Sequence, residues 1–112
     1  MTIVELQDIH KVYPLGKVEV EAVKGVSFCI EKGDFMSLAG PSGSGKTTIL
    51  NMLGCVDRPS AGTVIINGKA TKDLSDKELT TLRHDTLGFI FQSFNLIPVL
   101  NVRENVEFPL LL

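Results

Sequence analysis

The stretch GPSGSGKTT, residues 40–48, joins three glycines to a lysine and two threonines. Its spacing fits G-x-x-x-x-G-K-[ST], a loop whose backbone N–H groups surround a bound anion. Gly43 and Gly45 permit the backbone angles that such a loop needs. A helix that starts at Lys46 would direct its positive end toward the same anion. The stretch therefore predicts a site for the phosphates of a nucleotide.

Each residue type in this loop has a chemical role at its position. Lys46 can reach the β- and γ-phosphates, the Thr47 hydroxyl can ligate Mg²⁺, and Thr48 is placed to contact the α-phosphate. The preceding residues wrap their backbone around the phosphates: Gly40, Pro41, Ser42, Gly43, Ser44 and Gly45. Because this loop would contact the phosphates and not the base, it does not distinguish ATP from GTP.

The hydrophobic pattern around the loop predicts an α/β fold. Residues 35–39 form a short apolar run, typical of a strand covered on both faces, and residues 46–54 carry one apolar stripe and predict a helix. Upstream, alternating polar and apolar residues predict half-buried antiparallel strands at 4–7, 18–21 and 26–30, with a turn at 24–25.

Downstream of the loop, residues 63–66 predict a strand, and Asn67-Gly68 predicts a hairpin turn. Capping boxes predict two helices, one after Ser75 and one starting near Val102. Residues 87–91 predict a second buried strand, which ends at Gln92.

Composition and charge limit the classes of function. The 112 residues suffice for one small domain. The net charge of −2 gives no support for a nucleic-acid partner. No run approaches the roughly 18 apolar residues of a membrane span, and the N-terminus lacks the basic region of a secretory signal. Cys29 and Cys55 lack metal-site spacing, so two reduced thiols in a cytoplasmic protein are expected.

Three segments carry a resemblance to a known family: VYPLGKVEVEAVKGVSFCIEKGDFMSLAGPSGSGKTTILNMLG, DRPSAGTVIINGK and LGFIFQSFNLIPVLNVRENVEFPLLL. With them the chain resembles the N-terminal part of an ABC transporter ATPase subunit. It is most similar to the lipoprotein-releasing and macrolide-export group, which also includes the cell-division ATPase. The resemblance implies that residues 1–112 are the N-terminal portion of an ABC-type nucleotide-binding domain, truncated after the glutamine loop. It implies a P-loop NTPase fold with an N-terminal antiparallel β subdomain and part of the core sheet.

The resemblance also implies roles for two residues outside the loop. Tyr13 would stack its ring on adenine, so that Tyr13→Phe should change little. Gln92 would reach Mg²⁺ and the attacking water, so that Lys46 and Gln92 are the expected catalytic residues and Thr47 and Gln92 the metal ligands. Taken alone, Tyr13 and Gln92 are also compatible with ordinary strand-end positions. Residues 94–100 would face a membrane partner.

The function that the resemblance implies is an ATP-binding subunit that couples ATP binding and hydrolysis to export or lipoprotein release. The expected cofactors are ATP and Mg²⁺. The expected partners are a transmembrane permease and a second ATPase subunit in a homodimer, with the chain lying on the cytoplasmic face of the cell membrane. A non-transport ATPase of the cell-division type and a remnant that binds nucleotide without hydrolysis are the alternatives. The sequence does not define the transported substrate.

The catalytic half of the family's machinery has no counterpart in the printed sequence. The 112 residues contain no buried strand ending in Asp-Glu, no LSGGQ segment and no switch histidine. His10 and His84 lie among charged or polar neighbours, so both are expected to be solvated. We therefore expect no ATP hydrolysis by these 112 residues alone.

Overall fold

One antiparallel sheet, with the strand order β2-β1-β3-β4, organises the fold. The structure is a computed structural model that describes residues 1–111, with the backbone alone at Leu111; Leu112, the last residue of the predicted domain portion, lies outside the described residues. The strands are β1 (Thr2–Leu15), β2 (Val18–Glu31), β3 (Ala61–Ile66) and β4 (Lys69–Ala70).

Strands β1 and β2 form a long hairpin with an irregular centre. Asp8 has a φ of 48°, and the pairing register of the two strands shifts between Leu6 and Ile9. The predicted turn at residues 24–25 is wrong, since β2 runs through it without a break. Gly25 instead adopts a φ of 73° opposite the irregular part of β1. Gly25 is therefore part of a β-bulge, which bends a strand without ending it.

The predicted hairpin after β3 is confirmed. Asn67 and Gly68 have φ values of 49° and 78°, and the chain reverses between them into β4. Positive φ at both central residues is the geometry of a type I′ turn, whose twist matches that of the flanking strands.

Three α-helices have the starting points that the sequence predicts: α1 (Lys46–Leu53), α2 (Asp76–Thr86) and α3 (Val102–Glu107). Both capping boxes are present. The Ser75 hydroxyl accepts from the Glu78 N–H at 3.2 Å, and the Asn101 amide oxygen accepts from the Glu104 N–H at 2.9 Å. Short 3₁₀ turns lie at Thr71–Asp73 and Phe108–Leu111.

The hydrophobic core lies between the sheet and helices α1 and α2. Met52 of α1 is 1% exposed. The other buried apolar residues come from three strands, both helices and the loop after α1: Leu6, Ile9, Val23, Ile49, Cys55, Val64, Ile66, Leu79 and Leu82. This packing fixes α1, and thereby the loop that precedes it, against the sheet.

Two predicted strands are absent from the described residues. Residues 35–39 and 87–91 have irregular backbone, and Phe35 and Ile90 are fully exposed. The prediction of buried strands at these positions is therefore wrong for this structure. An apolar run becomes a strand only when neighbouring strands pair with its edges. In the described part of the chain the single sheet does not include these two runs.

Candidate nucleotide-binding site

The glycine-rich loop lies between β2 and α1 and is closed by its own backbone. The Ser44 N–H donates to the Pro41 carbonyl at 3.2 Å, and Gly45, the residue immediately before α1, has a φ of 94°. A Cβ on Gly45 would lie 2.6 Å from the carbonyl oxygen of Ala22 in β2. Only glycine tolerates both that φ and that proximity. The loop is therefore held directly against the sheet.

The first turn of α1 presents backbone donors without acceptors of their own. The N–H groups at the start of a helix have no intrahelical partner. Here Gly45 offers no side-chain cap, and the first turn carries no acidic residue. Ile49 is the first residue whose N–H bonds back into the helix, to the Gly45 carbonyl at 3.0 Å. Free donors and the positive end of the helix dipole together suit an anion.

The half-buried Lys46 side chain folds back across the loop. Its ammonium donates to the Gly40 carbonyl and, at 3.1 Å, to the Pro41 carbonyl. These acceptors are neutral, so a phosphate oxygen can replace them and form stronger, charge-assisted bonds. The loop therefore places a cation beside the free donors of α1.

Thr47 and Thr48 complete the start of the helix, the first exposed and the second half-buried. A hydroxyl is a suitable Mg²⁺ ligand, and Mg²⁺ is usually held by few protein ligands together with water and substrate phosphates. The described residues contain no cluster of three or more His, Cys, Asp or Glu side chains that could hold a metal alone. The exposed hydroxyl of Thr47 therefore fits an Mg²⁺ ion that is held together with bound phosphates.

Gln92 lies on an exposed bend after the irregular segment 87–91. Within residues 1–111, no hydrogen bond joins its side chain to the glycine-rich loop. The structure therefore places Lys46, Thr47 and Thr48 together at the start of α1 and, in the described part of the chain, shows no hydrogen bond between them and Gln92. Its predicted role at Mg²⁺ stays a prediction.

Tyr13 lies near the end of β1, opposite Val20 of β2, and the residue is 36% exposed. Its hydroxyl donates to Asp57 Oδ2 at 3.2 Å. The ammonium of Lys11 lies 5.2 Å from the ring centroid, within cation–π range. The ring is thus accessible for stacking, and its hydroxyl has a partner that the sequence did not predict.

Asp57 is the residue that sequence reasoning missed, because an aspartate just before Arg58-Pro59-Ser60 is also typical of an ordinary turn. Its Oδ1 accepts from Lys11 Nζ at 3.0 Å and from the Arg58 N–H at 2.8 Å. Desolvation opposes ionisation, but the bonds from Lys11 and Arg58 outweigh it and lower the pKa of Asp57. No spacing rule could have found the contact, since Asp57 and Tyr13 are 44 positions apart in the sequence.

His10 lies between two carboxylates and is not part of the glycine-rich loop. Its Nδ1 is 3.2 Å from Glu21 and its Nε2 is 3.3 Å from Asp8. The hydrogen bond with Glu21 is the largest influence and raises the pKa of His10 above 6.5. His84 is exposed and contacts Asp85 at 2.9 Å. Both histidines are at least partly solvated, as predicted.

A glycine loop closed against a strand, a lysine lying across it and a helix with free N–H donors define a P-loop nucleotide-binding protein. The ABC transporter family matches residues 23–109, which is most of the chain. The chain therefore belongs to the ABC transporter family, and the predicted resemblance is confirmed.

Relatives of similar sequence support this assignment. The chain is 48% identical over 109 residues to an uncharacterized ABC transporter ATP-binding protein of Thermotoga maritima, covering 97% of this chain and 47% of the relative. It is 46% identical over 110 residues to the macrolide export ATP-binding/permease protein MacB of Syntrophobacter fumaroxidans, covering 98% of this chain and 15% of MacB. Apart from the longer MacB proteins, the chain spans about half the length of the curated relatives it matches.

Solved structures confirm the fold class. A dimeric structure of the ATP-binding cassette MJ0796 from Methanocaldococcus jannaschii, in a post-hydrolysis state bound to ADP and Pi, has a TM-score of 0.90 with this chain. The two are 50% identical, and the match covers 97% of this chain and 47% of that one. The path of the backbone is thus that of an ABC ATPase cassette.

Proposed function

We propose that this chain is the nucleotide-binding part of an ABC transporter subunit and that it binds Mg-ATP at residues 40–48. The observation that carries the proposal is the start of α1, where Lys46 and free backbone donors converge beside the closed loop. A loop of this construction stabilises negative charge through backbone dipoles and one ammonium group. Triphosphate is the ligand class that this arrangement fits.

Each residue of the site then has a defined task. Lys46 exchanges the Gly40 and Pro41 carbonyls for the β- and γ-phosphates, while Thr48 contacts the α-phosphate. Thr47 and Gln92 would hold Mg²⁺, which when bound offsets the negative charge of the phosphates. Tyr13 stacks on the adenine ring, a contact worth about 1–3 kcal/mol for a nucleobase.

In the whole protein, we propose that ATP binding and hydrolysis drive a membrane permease through a dimer of ATPase subunits. The solved cassettes of similar sequence are dimeric, and relatives named macrolide export ATP-binding/permease proteins support export as the direction of transport. Within residues 1–111, no helix is long and apolar enough to cross a bilayer. We propose that the permease is a separate chain or segment and that this domain lies on the cytoplasmic face of the membrane.

The exposed apolar residues after Gln92 support a permease contact. Phe94, Leu96 and Val99 all have exposed side chains. Their segment is nevertheless ordered by α3, since the Ile97 N–H donates to the Asn105 side chain at 2.8 Å and that side chain donates to the Leu100 carbonyl at 3.1 Å. A fixed segment with exposed apolar side chains is typical of a surface that binds another protein.

Titration calorimetry with Mg-ATP tests the nucleotide site. Lys46→Ala removes a charge-assisted contact worth about 1.5–3 kcal/mol, so the Kd should rise about 10- to 150-fold. Lys72→Ala, which removes an exposed lysine from the 3₁₀ turn Thr71–Asp73, is the matched control and should keep the parent Kd. Equal Kd values for the parent and Lys46→Ala would contradict the proposal.

A further inference from the structure

We propose that Asp57 is a positioning residue for the nucleotide base, because it holds the ring of Tyr13 at a fixed place relative to the phosphate loop. This inference rests on the proposed stacking of Tyr13 on adenine. It adds a residue from the loop after α1 to a base site that would otherwise consist of Tyr13 alone.

Two groups constrain the Tyr13 side chain. Asp57 Oδ2 accepts the hydroxyl hydrogen at 3.2 Å, and the Lys11 ammonium lies over the ring. The same ammonium donates to Asp57 Oδ1 at 3.0 Å and to the Arg58 carbonyl at 2.7 Å. The Lys11 side chain is only 13% exposed, so its position is fixed by these bonds. Asp57 therefore acts on Tyr13 directly through the hydroxyl and indirectly through Lys11.

The backbone around Asp57 is fixed to α1 and α2. The N–H groups of Val56 and Asp57 both donate to the Asn51 carbonyl in α1, at 2.9 and 3.2 Å. The guanidinium of Arg83 in α2 donates to the Cys55 carbonyl at 2.7 Å. A carboxylate on a backbone held from two helices is a stationary acceptor.

Arg58 fixes the other side of the same loop. Its guanidinium donates to the Thr71 and Leu74 carbonyls at 3.0 and 2.8 Å and to Asp76 at 3.2 Å. The loop between α1 and β3 is thus tied to the start of α2. Asp57 lies between these two sets of contacts.

Helix α1 joins this loop to the phosphate site. It begins at Lys46, beside the glycine-rich loop, and its Asn51 carbonyl holds the backbone of Asp57. Eight helical residues span about 12 Å at 1.5 Å each. The phosphate donors and the anchor of the Tyr13 ring therefore belong to one rigid unit. A ring held in place before ATP arrives loses less conformational entropy on stacking than a mobile ring does.

The test separates the base from the phosphates by comparing two ligands, Mg-ATP and inorganic Mg-tripolyphosphate. The base ratio is the Kd for Mg-tripolyphosphate divided by the Kd for Mg-ATP, and it measures the contribution of adenosine to affinity. Tyr13→Ala should reduce the base ratio by about 5- to 150-fold, the range expected for a base stack. Asp57→Ala and Tyr13→Phe should each reduce it by about 2- to 12-fold, the range for one hydrogen bond. The bond from the Tyr13 hydroxyl to Asp57 thus replaces the expectation from sequence that Tyr13→Phe changes little. The tripolyphosphate Kd should not change in any of the three.

A double-mutant cycle shows whether Asp57 acts through the Tyr13 hydroxyl. The variant carrying both Tyr13→Phe and Asp57→Ala should have about the base ratio of the worse single variant, because both changes break the same bond. Asp73→Asn, an exposed aspartate in the Thr71–Asp73 turn, is the control and should match the parent. Tyr13 is the only tyrosine and the chain has no tryptophan, so its fluorescence should be quenched by ATP and not by tripolyphosphate.

The possible outcomes have different meanings. Equal losses of ATP and tripolyphosphate affinity in Asp57→Ala would show a merely structural role and overturn the inference. An unchanged base ratio in both Asp57→Ala and Tyr13→Phe would overturn it as well, and Tyr13→Phe still decides if Asp57→Ala does not fold. An unchanged base ratio in Tyr13→Ala would instead refute the proposed adenine contact itself. Failure of the parent to bind either ligand would refute the proposed phosphate site.

Discussion

Replacement of Gly45 by alanine tests how the glycine-rich loop is held against the sheet. Gly45 has a φ of 94°, and a Cβ there would lie 2.6 Å from the Ala22 carbonyl oxygen. The left-handed conformation costs an L-residue about 1–2 kcal/mol. The overlap adds about 1–3 kcal/mol, because the new methyl group meets backbone that cannot rotate away. Gly45→Ala should therefore lower the free energy of unfolding by about 2–5 kcal/mol.

Gly43→Ala is the matched control for this change. Gly43 has a φ of 80°, but in the described part of the chain a Cβ there would meet no atom within 4 Å. Gly43→Ala should lower the free energy of unfolding only by the cost of the left-handed conformation, about 1–2 kcal/mol. Urea denaturation followed by circular dichroism measures both variants, with unchanged m-values as the check on two-state unfolding. Equal losses in the two variants would refute the argument that Gly45 packs against Ala22.

Further predictions concern the core, a helix cap, an ion pair and turnover. Met52→Ala should lower the free energy of unfolding in urea by about 2–5 kcal/mol; a loss below about 1 kcal/mol would mean that Met52 is not a core residue. Ser75→Ala should cost about 0.5–2 kcal/mol by the same assay, whereas Ser93→Ala, at an exposed bend, should change little. Because the hydrogen bond with Glu21 raises the pKa of His10 above 6.5, its stabilising effect should be complete below pH 6.5. That effect should be lost as the pH rises through the folded-state pKa. His10→Gln should remove this pH dependence of the free energy of unfolding. An unchanged dependence on pH would contradict the stabilising contact between His10 and Glu21. The 112-residue chain should release no phosphate from ATP above background in a phosphate-release assay, and release that Lys46→Ala abolishes would contradict this.

Local sequence signals predicted the elements that local chemistry determines. The capping residues Ser75 and Asn101 fixed the helix starts, because a cap acts within four residues. Asn67-Gly68 predicted its turn for the same reason. The glycine-rich loop could be predicted from the sequence because phosphate binding requires particular residue types in one continuous stretch.

The features that the sequence did not reveal depend on distant partners. Residues 35–39 have the composition of a buried strand, but strand formation requires neighbours that the described sheet does not supply. The bond between Tyr13 and Asp57 joins residues that are 44 positions apart. Gly25 was interpreted as a turn because a glycine at a bulge and a glycine at a turn look alike in sequence.

Nitrogen-15 NMR of the chain titrated with Mg-tripolyphosphate shows whether residues 40–48 form the phosphate site. This ligand has no base, so only the phosphate contacts can respond. The largest amide shifts should fall on the loop and the first turn of α1, at Gly43, Gly45, Lys46, Thr47 and Thr48, because their N–H groups would face the anion. Shifts concentrated outside residues 40–48, or no shifts at millimolar ligand, would contradict it.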